Sequence, residues 1–161
     1  MWTARTAMTK MTAEPSALPG RRNVLITAPC RTKIMLKCGS VFDQMLVPRS
    51  SGTAGKYFII DSCGAVYING DGEAQAVLIS SLQYIEIRNL EIRNPSEYSA
   101  SRKGVAVYAG GQVSSGVFHE GGVFNHIYLI NLDVIDVSCT DGQRFYGGLV
   151  FYSRHPKADF I

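Results

Sequence analysis

The groups able to do chemistry gather in the second half of the sequence. Arg102 and Lys103, then His119 and Glu120, then Asp141 and Arg144, with Arg154 and His155 beyond, bring acids, bases and cations into neighbouring stretches. Removing the proton beside a uronate carboxylate needs a base, together with a cation to hold the charge that develops. Lys103 or Arg144 suits either role, with Glu120 or Asp141 available to ligate a metal. Hydrolysis of a glycosidic bond instead needs two carboxyl groups about 5 to 10 Å apart, which Glu120 and Asp141 supply in kind. Taken singly, each of these side chains is ordinarily a solvated loop charge, so the case rests on their grouping. The catalytic candidates are Asp141, Arg144, Glu120 and Lys103, and Arg102, His119 and His155 are candidate substrate contacts together with Tyr108 and Tyr152.

The elements that must position these groups are strands. From about residue 33 the chain runs in short apolar stretches of period two, broken by Gly, Asn, Ser and Asp. No window of a dozen residues keeps an apolar face at helical spacing without a Gly or Pro, so any helix is confined to the first 32 residues. An internal repeat organises the strands. YIEIRNLEIRN (84–94) aligns with HIYLINLDVID (126–136) at an offset of 42, placing Ile85 over Ile127, Asn89 over Asn131, and Glu91 over Asp133. A second pair follows at an offset of 44, where Gly104, Val105, Val107 and Tyr108 recur as Gly148, Leu149, Phe151 and Tyr152.

Within each copy the alternation changes phase at the Asn. Ile85 and Ile87 share one parity, Leu90 and Ile92 the other, and a straight strand would put the two pairs on opposite faces. A bend at Arg88 and Asn89 turns both toward one interior, and Asn tolerates the left-handed backbone that such a corner demands. Three strands per turn around one apolar core make a right-handed parallel β-helix, an all-β solenoid of about three coils. Its walls are expected at 76–80, 104–108 and 148–152; at 57–61, 84–88 and 126–130; and at 66–70, 90–94 and 132–137. Residues 33–48 supply strands for a coil at the N-terminal end. Asn89 and Asn131 then lie about 4.8 Å apart as a ladder of bonded amides. A β-sandwich is the rival architecture, but the phase change at both Asn positions argues against it.

On the first wall the outward positions are Ser80, Tyr108 and Tyr152. Stacked tyrosines offer a platform for the apolar face of a pyranose, or they simply cover one another as a cross-strand pair. The chain reaches HPKADFI without a cap, so the reading is of the N-terminal coils of a longer β-helix, open at its C-terminal end and prone to self-association there.

Composition narrows the classes. At 161 residues, 46% hydrophobic and 18% charged, the chain carries enough apolar material for a core. No apolar run is long enough to span a bilayer, and a net charge of +3 gives no argument for nucleic acid. Residues 1–33 hold six Lys or Arg against the single acid Glu14, so residues 1–32 are expected to form a poorly ordered basic head, without a signal peptide, before a β-helix domain at 33–161. Cys30, Cys38, Cys63 and Cys139 form no CxxC pair and no zinc pattern, and they read as small apolar side chains rather than as a disulfide framework. GDGEAQ (70–75), GGQVSSG (110–116) and SGTAGK (51–56) lack the GKS or GKT and the following helix of a phosphate loop, and read as turns. No metal site is assigned and no cofactor is required; calcium fits such a scaffold, but no residue pattern here asks for it.

The segment KIMLKCGSVFDQMLVPRSSGTAGKYFIIDSCG (33–64), followed by INGDG (68–72) and QYIEIRNLEIRN (83–94), resembles the opening coils of bacterial right-handed parallel β-helix proteins of the pectate-lyase-like superfamily, over roughly residues 33–155. The resemblance implies a polysaccharide lyase or glycoside hydrolase acting outside the cytoplasm, extracellular or periplasmic, on an acidic polysaccharide along the first wall. A non-catalytic glycan-binding or adhesin module is the alternative. No catalytic signature of the family matches residue by residue, so the resemblance transfers no catalytic position, and a fragment of such a protein would be inactive alone.

Overall fold

The computed structural model describes residues 24–26, 32–71, 73–95, 102–109, 125–138 and 147–153. Among them the regular structure is entirely β. The strands are β1 (Val24–Ile26), β2 (Lys33–Leu36), β3 (Val41–Asp43), β4 (Leu46–Pro48), β5 (Phe58–Ser62), β6 (Tyr67–Asn69), β7 (Gln75–Ser80), β8 (Gln83–Asn94), β9 (Lys103–Ala109), β10 (Asn125–Val137) and β11 (Gly147–Ser153). Pairing between these strands is parallel throughout. One sheet runs β1-β4-β7-β9-β11, and the other runs β2-β5-β8-β6-β3 with β10 against β8. The first sheet therefore begins at Val24–Ile26, inside the stretch read as a basic head.

The register explains how one long strand serves two walls. The first part of β8 pairs with β5, Phe58 opposite Ile85, and its last part pairs with β6, Ile68 opposite Ile92. β10 follows β8 past the corner, with Ile127 opposite Ile85 and Val134 opposite Ile92. Ile85, Ile87, Leu90 and Ile92 are all buried in one core despite their change of parity. Only a bent backbone allows this, and the bend lies at Asn89, whose φ of 59° is left-handed; Asn131 repeats it at 50°. Parallel strands that return to pair with their predecessors, around a single core, fit a β-solenoid.

The interior is aliphatic and tightly filled. Phe58, Ile60, Val77, Ile79, Ile85, Ile87 and Ile92 have no exposed surface, and burying each such side chain contributes about 1.5 to 3 kcal/mol. Close stacking also dictates Gly104: a Cβ there would lie 2.5 Å from the Gly148 carbonyl oxygen and 2.5 Å from Val134 Cγ1.

The cysteines require a correction. Cys38 and Cys63, expected as apolar side chains, are exposed and joined in a disulfide, their Cα atoms 5.3 Å apart. Their separation of 25 residues carries no bonding signal along the chain. Stacking β5 on β2 brings the turns that follow these strands together, and thereby the two thiols. Cys30 and Cys139 lie outside the described residues.

Candidate functional site

The outward edge of the first sheet carries the tyrosine pair. Ser80, Tyr108 and Tyr152 are in register on β7, β9 and β11. The rings of Tyr108 and Tyr152 meet edge to face, their centroids 5.9 Å apart at 71°. Arg102 and Lys103 stand at the other end of β9. The five residues from Lys103 to Tyr108 span about 17 Å of extended chain, so the strand separates these cations from the rings. Lys103 is buried, and that burial pushes its ammonium below the usual lysine range. The Arg102 backbone holds two neighbouring segments, its N–H donating to the Ser138 carbonyl and its carbonyl accepting from Gly147 N–H. His119, Glu120, Asp141, Arg144 and His155 lie outside the described residues.

A second locus sits at the Asn corner. Ser62, Gly64, Asn89, Glu91, Asn131 and Asp133 are among the residues lining an open hollow of about 460 Å³. Two of its lining residues belong to a chain of side-chain hydrogen bonds: Asn131 Nδ2 donates to Asn89 Oδ1 at 2.9 Å, and Asn89 Nδ2 donates to Asp61 Oδ1 at 2.7 Å. Ser62 Oγ donates to the Asn89 carbonyl, further fixing the corner.

Asp61 collects further donors. Ser62 N–H gives 2.8 Å to Oδ1, while Arg88 Nε at 2.9 Å and Lys33 Nζ at 2.8 Å reach Oδ2. Burial would raise the Asp61 carboxyl, but hydrogen bonds from Lys33 and Asn89 and the charge of Arg88 outweigh it and hold the group below the usual carboxylate range. Arg88 also reaches Glu86 at 2.6 Å.

Glu91 and Asp133, both lining the hollow, are opposite one another on adjacent parallel strands, whose backbones are about 4.8 Å apart. Arg93 pairs with Glu91 and lies 5.4 Å over the Tyr67 ring. Two carboxyls on neighbouring strands are the donor set that glycoside hydrolysis uses, at a place where sequence reading registered only a repeat. Among the described residues, no group of three or more His, Cys, Asp or Glu side chains is placed to hold a metal ion.

Sequence reading also passed over an aromatic cluster on the wall formed by β5, β8 and β10. Tyr84 stacks on His126 with centroids 4.5 Å apart, and Tyr57 meets Tyr84 at 5.7 Å and Tyr128 at 5.4 Å, both edge to face. A hydrogen bond with Tyr128, with smaller contributions from burial and neighbouring groups, raises the Tyr57 phenol above its ordinary range. The signal was present, because Tyr84 and His126 open the two copies of the repeat, but outward positions were read on the first wall only.

No protein-family model matches the chain, and no curated protein matches it. Among solved structures the chain is similar to two crystal structures of the GH136 lacto-N-biosidase from Eubacterium ramulus, a selenomethionine derivative and the native protein. Each likeness has a TM-score of 0.62 at 25% sequence identity, over 86% and 85% of this chain respectively. The match takes in 26% of either enzyme, so this chain spans about a quarter of the length of the structures it resembles.

Proposed function

We propose that this chain is a carbohydrate-active protein of glycoside-hydrolase type, built as a right-handed parallel β-helix of about three coils. The likeness to the GH136 lacto-N-biosidase, at 25% identity over most of the chain, carries the reading. Parallel register on both sheets and the turned corners at Asn89 and Asn131 support the helix, with the amides as its ladder. The likeness favours hydrolysis over the lyase chemistry of pectate-lyase-like proteins, since the neighbours are biosidases by name.

In this reading the corner hollow takes a sugar, with Glu91 and Asp133 as the carboxyl pair flanking the glycosidic bond. One would give a proton to the leaving oxygen while the other attacks the anomeric carbon or activates water. The tyrosine pair of the first wall would hold a more distant part of an extended glycan, and any acidic preference would arise at the other end of β9, where Arg102 stands. The exposed disulfide supports an oxidising compartment, hence action outside the cytoplasm.

The test is release of reducing ends from defined oligosaccharides by the full chain, with Glu91→Gln and Asp133→Asn as controls. Hydrolysis lost at least a hundredfold in each variant is expected. Binding without any release from the wild type overturns the hydrolase reading in favour of the glycan-binding module, and release unchanged in both variants removes the carboxyl assignment.

A further inference from the structure

The wall built by β5, β8 and β10 carries charge and aromatic surface that the corner hollow does not use. Tyr57 and Tyr84 are half-buried, whereas His126 and Tyr128 are exposed, Tyr128 to 45%. Tyr84 covers one face of the His126 ring, and among the described residues no ring packs on the other. The backbone pays for this arrangement. Tyr84 and His126 hold φ values of 54° and 50°, a left-handed conformation that costs a bulky side chain about 1 to 2 kcal/mol. The same left-handed turn recurs in both copies of the repeat, so the stacking of rungs holds the two rings face to face.

The polar surroundings decide the ligand. Glu86 lies opposite Tyr128 across the strands, and Arg88 bridges Glu86 to Asp61, which also binds Lys33. Two acids and two bases are thus matched within one network. An anionic sugar would have to break a pair to find its cation. A neutral pyranose would not: its C–H face rests on an aromatic ring while its hydroxyls bond to the accessible parts of the Glu86 carboxylate and the Arg88 guanidinium, which remain paired.

We propose that His126 and Tyr128, backed by Tyr84 and Tyr57 and flanked by the Glu86–Arg88 pair, form a binding subsite for a neutral hexopyranose or pentopyranose unit of a glycan. The subsite rests on the carbohydrate-active reading but is separate from the carboxyl pair and from the Tyr108–Tyr152 wall. It makes this protein a two-faced glycan binder, with one wall able to hold a polymer that another wall engages.

The experiment titrates the full, oxidised chain with cellohexaose, xylohexaose and mannohexaose, and with hexagalacturonate as the acidic control, following binding by saturation-transfer NMR. Binding of at least one neutral hexasaccharide is expected. It should weaken tenfold or more in the double variant His126→Ser with Tyr128→Ser, and survive in Tyr128→Trp. Circular dichroism melting confirms that the variants fold; should the double variant melt early, Tyr128→Ser alone, at an exposed position, carries the comparison. The proposal is overturned if no neutral hexasaccharide binds, if only hexagalacturonate binds, or if the His126 and Tyr128 changes leave affinity unaltered. Reducing-end release by the same variants separates the two readings, because cleavage without this subsite leaves the hydrolase reading standing.

Discussion

The middle of the stack and its β10–β11 end are made of equivalent residues in equivalent register, yet they have opposite surroundings. Ile85 and Ile87 on β8 are fully buried, whereas Ile127 and Leu129, directly opposite them on β10, are only partly covered. On the first sheet Val105 and Val107 have almost no exposed surface, while their partners Leu149 and Phe151 are 54% and 46% exposed. The side chains point the same way. What differs, among the described residues, is whether strands lie on both sides, because a parallel stack buries an inward residue with the rungs above and below as well as across the core. Inward orientation is therefore a property of the strand, and burial a property of its position in the stack.

The largest effect should come from breaking the middle of the stack. Ile87→Ala removes a side chain that has no room to relax and should cost about 4 kcal/mol, whereas Leu129→Ala, at the half-covered equivalent, should cost about 1.5 kcal/mol. Urea unfolding of both variants measures the contrast, and equal losses would mean that the end is covered as well as the centre.

Next is the polar counterpart. Asp61→Ala strips Lys33, Arg88 and Asn89 of a common acceptor and should cost about 3 kcal/mol. Because the folded carboxyl is held below its unfolded value, its contribution is present above the ordinary carboxylate pKa of about 3.9 and is lost as pH falls through and below it. Wild-type melting temperature should therefore drop below about pH 4 more steeply than that of Asp61→Asn. Parallel acid profiles would show that the carboxylate contributes nothing through its charge.

The smallest contrast lies along the corner. Asn89 is bonded to rungs on both sides, Asn131 on one side only among the described residues. Asn89→Ala should cost about 2 kcal/mol, through lost bonds and a left-handed backbone unfavourable to Ala, and Asn131→Ala about 1 kcal/mol. Asn89→Gly, which keeps the backbone but not the bonds, should fall between them. Thermal unfolding ranks the three, and a reversed order would place the anchoring of the corner elsewhere.

Much of the architecture was legible because a β-strand writes its orientation in parity. The phase change at Asn89 and again at Asn131 marked a corner before any coordinates, and the offset of 42 paired Ile85 with Ile127 as the register does. The site was far less legible. Cys38 with Cys63, Asp61 with Lys33, and Glu91 with Asp133 lie 25, 28 and 42 residues apart, and only the last pair repeats in sequence. The grouping of Arg102 and Lys103 with Tyr108 reflected nearness along the chain, which an extended strand turns into distance.

The sequence by itself determined the strands, their inward residues and the places where the chain turns, because those depend on side-chain alternation and on backbone preferences a few residues long. The tertiary structure alone decided which surfaces became a chemical neighbourhood. It set Asp61 among four donors, carboxyl above carboxyl at the corner hollow, and His126 upon Tyr84. Stacking brings side chains from successive rungs to within about 5 Å whatever their separation along the chain, so their chemistry depends on the register between rungs.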